Sequence, residues 1–165
     1  MRTSPPLVAD ERAMLASWLD FHRATLARKT DGVAPQRLAE RTVVPSALSL
    51  LGLVRHLAEV ERYWFRIVFR GEQLATLYCP PGNRNGDFDD VDSADPIANL
   101  ARWQEEVAEA RRAVATASLD ELRAGLRHGE PVSLRWIMVH MIEEYARHNG
   151  HADLLRERLD GATGA

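Results

Sequence analysis

The sequence predicts an all-α fold: a four-helix bundle in up-down-down-up order, with a long crossover between its second and third helices. Three observations carry this. Four long segments repeat apolar residues at three- and four-residue spacing. No segment sustains the period of two that a half-buried strand requires. The link between the second and third segments, residues 72–94, is long and rich in Pro, Gly, Asn and Asp, and such a link lets neighbouring helices run parallel.

The first helix is predicted over residues 8–29, where Met14, Leu15, Trp18, Leu19, His22, Thr25 and Leu26 share a face and Thr30-Asp31-Gly32 ends it. The second, residues 46–70, carries Leu50, Leu53, Val54, Leu57, Val60, Trp64, Ile67 and Val68, with Gly71 placed for a left-handed cap. The third opens at Asp95-Pro96, an N-cap residue followed by proline at the first helical position, and runs through Leu100, Trp103, Val107, Ala110 and Val114. The fourth runs from Ser133 to Leu159, ahead of Asp160-Gly161. Ser118-Leu119-Asp120-Glu121 fits a capping box and predicts a short extra helix. Trp18, Trp64, Trp103 and Trp136 fall on or beside stripes and read as core. In the crossover, Asp87, Asp89, Asp90 and Asp92 read as a solvated acidic loop, and they lack the glycine and late glutamate of a calcium loop.

A chain of 165 residues suits one domain, residues 1–165. It is 45% hydrophobic and 27% charged, the profile of a soluble globule. The net charge of -3 argues against a nucleic-acid surface, which needs a basic excess. Cys79 is the single cysteine, so no internal disulfide forms and a reducing compartment is expected. The first residues hold no apolar run of the signal-peptide kind, and no stretch approaches the roughly 18–20 apolar residues of a membrane span. A cytoplasmic protein is the expectation.

Chemistry concentrates on the fourth helix, which holds three of the six histidines: His140, His148 and His151. At roughly 100° per residue, His148 falls inside the stripe of Leu134, Met138, Met141, Ile142, Tyr145 and Ala152. Glu144 falls on the stripe's edge, one turn from His148 and therefore its neighbour. His151 and His140 lie further out, while Glu143 and Arg147 face solvent. On the second helix, His56 flanks the stripe on the side of Tyr63. Two ligands four apart on one helix with a third from another is a common metal site in bundles, and three protein ligands leave a coordination position open. Two blander readings stand beside this one: His56 as a satisfied boundary residue, and Glu144 with His148 as an ion pair. His22 reads as packing or pocket lining, and His128, beside Gly129, as exposed. Cys79 lacks any readable catalytic partner.

Arg23-Ala24-Thr25-Leu26 with Lys29-Thr30-Asp31-Gly32, the stretch from Leu51 to Phe65 around His56, and the stretch from His140 to Glu157 together resemble the DinB-like (YfiT-like) metalloenzymes. The likeness is nearest to their mini-circle-protein subgroup and covers nearly the whole chain. It implies a four-helix bundle, often a homodimer, that holds a zinc- or nickel-type divalent metal through three side chains. Carried over, these are His56, Glu144 and His148. Many members have a histidine where Glu144 stands; the His-Glu-His set is that of the related mycothiol-dependent maleylpyruvate isomerases. The resemblance implies a small-molecule substrate and a low-molecular-weight thiol cofactor such as mycothiol. The expected function is therefore metal-dependent thiol S-transfer or isomerisation, with Tyr63 and His151 as acid–base or supporting groups. The rivals are a metal-dependent hydrolase and a non-catalytic ligand-binding bundle with a structural metal.

Overall fold

In the computed structural model, which describes residues 2–124 and 130–164, each long helix begins at a side-chain cap. The Asp10 carboxylate accepts from the Ala13 amide at 2.8 Å and starts α1 (Glu11–Thr30), three residues later than the periodicity suggests. Ser49 accepts from the Gly52 amide at 3.1 Å and starts α2 (Leu50–Glu61). The residues just before it, predicted as helical, are therefore outside α2. Beyond Glu61 the helix widens into a π-helical segment, Arg62–Phe69, which ends before Gly71 at φ 71°. The crossover holds one short turn of helix, α3 (Gly86–Asp89). Asp95 then caps α4 (Pro96–Val114) by accepting from the Ile97 and Ala98 amides. Ser133 caps α5 (Leu134–Asp160), which runs unbroken through Gly150 to a left-handed Gly161.

The predicted extra helix at Ser118 does not form. The carbonyls of Leu119 and Glu121, which a helix would use internally, instead accept from the amides of Arg135 and Leu134 at the start of α5. The chain leaves this turn as β1 (Leu122–Ala124), antiparallel to β2 (Pro131–Ser133) with Arg123 opposite Val132. Three-residue strands are too short to display a period of two. His128, expected to be exposed, lies outside the described residues.

The protein is thus mainly helical, with α1 packed on α5, and α2 packed on both α4 and α5. Two apolar clusters form the core. The larger joins Leu19, Leu26, Val54, Leu57, Phe65, Phe69, Trp103, Ile137, Met141 and Tyr145. The smaller joins Leu38, Leu51, Leu53, Val91, Ala152 and Leu155. Burying each large aliphatic or aromatic side chain contributes about 1.5–3 kcal/mol. Trp64 and Trp103 belong to this core, but Trp18 and Trp136 are each 41% exposed, contrary to the core reading. Each sits at the margin of its stripe, Trp18 against Phe21 and His22 and Trp136 against Trp64 and His140. Among the described residues, no helix is long and apolar enough to cross a membrane.

Candidate metal centre

The two apolar clusters meet at the midpoints of α2 and α5, and that junction is polar. On α2, His56 lies between Leu53 of the smaller cluster and Leu57 of the larger; on α5, His148 lies between Tyr145 and Ala152. A buried polar group there is costly unless it is paired.

The pairing is specific. His56 and His148 approach each other to 4.6 Å between ring centroids. Glu144 Oε2 stands 3.7 Å from His56 Nε2 and 3.5 Å from His148 Nε2. One donor atom from each of the three residues lies within 4.8 Å of the others. Ligands bonded at about 2.0–2.2 Å around a tetrahedral ion sit roughly 3.3–3.6 Å apart, so the donor set is close to the spacing a small divalent cation needs.

The outer nitrogens are already engaged. His56 Nδ1 is 2.8 Å from Asp87 Oδ2. His148 Nδ1 is 3.3 Å from His151 Nδ1, one ring donating and the other accepting. Both Nε2 atoms are therefore the ones that face the cluster. Phe88 stacks on the other face of His56, with centroids 5.0 Å apart.

The electrostatics follow from this packing. Burial opposes charge on His56, but hydrogen bonds and charge from Asp87 and Glu144 outweigh it and raise its pKa to about 9. The approach of His148, then of His56, holds Glu144 well below the usual carboxylate range. Burial, with the charges of His148 and Arg147, lowers His151. Burial pushes the Cys79 thiol up to about 11, which disfavours its thiolate near neutral pH.

The structure thus brings His56, Glu144 and His148 together, with His151 against His148. Tyr63 packs its ring edge-on to Trp64. His140, placed outside the stripe by the wheel, lies closer in than that: its Nε2 is 3.6 Å from Glu144 Oε1, and its ring stacks on Trp136. His140, Glu143 and Glu144 form a second group of ligand type, but Glu143 is exposed and paired with Arg147. A groove of about 810 Å³ opens between α1 and α4, and none of His56, Glu144 or His148 lines it.

The acidic-loop expectation is overturned at one residue. Asp87 is not part of a solvated loop: it is 4% exposed and hydrogen-bonded to His56. Asp89, Asp90 and Asp92 are exposed, as expected. Asp87 lies 31 positions after His56 in the chain, so no helical spacing links them. The available signal was Gly86-Asp87-Phe88, one acid between a glycine and an apolar ring.

A mainly helical fold with a His-Glu-His cluster between two helices defines a class of helical proteins with a cluster of metal-ligand chemistry. The chain belongs to the mycothiol S-transferase family, a DinB-like family whose model matches residues 14–161. That span includes both helices that carry the cluster. No curated protein matches the chain.

Proposed function

We propose that the protein is a metal-dependent thiol S-transferase that uses mycothiol or a similar low-molecular-weight thiol, with His56, Glu144 and His148 as the ligands of a zinc- or nickel-type cation. The observation that carries this is the inward convergence of two imidazole Nε2 atoms and one carboxylate oxygen, with the outer nitrogens of both rings engaged elsewhere. Membership of the family supports the thiol and its transfer through sulfur.

A divalent cation bound there supplies the acidity that makes a thiol into a thiolate near neutral pH. The chain's own residues do the rest. Glu144 offsets the cation's charge, and the apolar clusters on either side limit water at the site. His151, in contact with His148, is the acid–base candidate that touches a ligand, and its Nε2 is the nitrogen left for proton transfer. Tyr63 is the second candidate, two helical turns beyond His56. We read the long helices as one up-down-down-up four-helix bundle domain in a cytoplasmic homodimer, acting on a small-molecule substrate.

The test is metal analysis of the purified protein followed by titration with thiols. We expect stoichiometric metal in the parent protein and its loss in His56→Ala and His148→Ala, with helical content kept. A thiol should perturb the spectrum of the cobalt-substituted protein, and turnover should require it. Turnover without thiol would favour metal-dependent hydrolysis instead. Full metal content in both alanine variants would defeat the site.

A further inference from the structure

The crossover is clamped to α2 by buried charged side chains that flank His56 in sequence. Arg55, 7% exposed, donates from Nε to the Asp87 carbonyl at 3.0 Å and from Nη2 to the Gly86 carbonyl at 2.9 Å. Its third bond goes to Asn99 Oδ1 on α4, and its guanidinium lies 4.0 Å over the Tyr78 ring. One turn along α2, Glu59, 8% exposed, accepts the amides of Leu77 and Tyr78. Gly86 is required by space: a Cβ there would meet the Tyr78 carbonyl oxygen at 2.2 Å. A buried arginine and a buried glutamate are costly unless satisfied, and here both are satisfied chiefly by the backbone of one loop. What the loop presents to His56 is Asp87 on its outer nitrogen and Phe88 on its ring face.

We propose that Asp87 is the positioning residue of this centre: its carboxylate accepts a hydrogen bond from Nδ1–H of His56, fixing the tautomer and ring angle that direct Nε2 at the cation. The proposal rests on His56 being a metal ligand. Asp87 Oδ1 accepts the Phe88 amide at 3.1 Å, so the carboxylate's own orientation is fixed and only Oδ2 is directed at the imidazole. A carboxylate behind a ligating histidine raises the ring's basicity as well as orienting it, and loss of such a partner typically weakens metal affinity about 10- to 100-fold. Arg55 and Glu59 act one step further back, by holding the loop.

Zinc affinity, measured by competition with a chromophoric chelator, tests this in the full chain. The comparison is between the parent, His56→Ala, Asp87→Asn and Asp87→Ala, each with its urea unfolding midpoint. Asparagine keeps the shape and one acceptor oxygen, so Asp87→Asn should fold with a near-parental midpoint. We expect its zinc affinity to fall about 10- to 100-fold, with Asp87→Ala lower still. The His56 Nδ1–H resonance of the zinc-loaded protein should move upfield in Asp87→Asn as its hydrogen bond weakens. A role in anchoring the loop alone would lower the midpoint and leave the affinity and the resonance of the folded protein in place. Parental affinity in Asp87→Asn, with His56→Ala still defective, would overturn the positioning role and leave the metal site standing. Parental affinity in His56→Ala would remove the site itself, and the proposal with it.

Discussion

Burial draws the His56 imidazole toward its neutral form, and the carboxylates of Asp87 and Glu144 reverse that, raising it from 6.5 to about 9. Because the folded value lies above the unfolded one, the stability this imidazole contributes is complete below pH 6.5 and is lost as pH rises through about 9. Glu144 runs the other way: held below 4.5, it contributes fully above that pH and loses its contribution only as acid takes the pH through its folded value. His22 and His151, both lowered by burial, finish their own change below the His56 window. The metal-free protein should therefore lose stability between pH 6.5 and 9, on the order of 1–3 kcal/mol. Zinc-loaded protein should move in the opposite direction over the same range, since a cation held by His56 as proposed would bind the deprotonated ring. Thermal unfolding with chelator and with zinc, across pH, checks both slopes. A flat metal-free profile, or one unchanged in His56→Gln, would contradict the assignment.

At the scale of elements, the crossover and α2 behave as one unit, and Gly86 is where that unit is tightest. Gly86→Ala forces a Cβ against the Tyr78 carbonyl, a backbone atom with little room to yield. Overpacking of this kind costs about 1–3 kcal/mol. The displaced loop should carry Asp87 away from His56, so zinc affinity should fall together with the urea midpoint while far-UV helical content stays near parental. Chelator competition and urea unfolding on the same sample measure both. Unchanged values for each would mean that the loop adapts freely. The same element explains what the sequence could and could not reveal. Glu144 and His148 were legible because one helix wheel relates them, and the long helices because their stripes and caps are local. The stripe of α2 marked one face only, whereas Leu50 to Arg55 are all buried, and so are Leu57, Ala58, Glu59 and Glu61. Its second face is covered by the crossover through Arg55 and Glu59, charged residues that a hydrophobic pattern assigns to solvent. Asp87 was hidden for the same reason: its partner is reached through a loop, not through a period.

Across the whole molecule, one buried hydrogen-bonded chain ties the four long helices together. Arg23 on α1 makes a two-pronged pair with Glu61 on α2, both bonds at 2.8 Å. Tyr145 on α5 donates to Glu61 Oε1 at 2.8 Å, and Trp103 on α4 donates to Tyr145 at 2.8 Å. Glu61 and Tyr145 are fully buried, and Glu61 raises the Arg23 pKa against the burial that opposes its charge. The stripes mark Trp103 and Tyr145 as core but do not record the bonds that join them to Glu61 and Arg23, yet these bonds fix which faces meet. Breaking a buried pair by removing one charge costs about 3–5 kcal/mol, because the other is left buried alone. Glu61→Gln and Arg23→Met should each destabilise on that scale in urea unfolding. Glutamine retains an acceptor for Tyr145, so the double variant suffers less than the sum of the two, with a coupling of about 1–3 kcal/mol. Strict additivity would mean that the pair contributes only packing. Zinc affinity in the folded fraction of the double variant should remain near parental, because none of the proposed ligands, His56, Glu144 and His148, hydrogen-bonds to Arg23, Glu61, Tyr145 or Trp103. A parallel loss of affinity would instead make the network part of the metal centre, and the helix register it sets would then be the determinant of the His56–His148 approach.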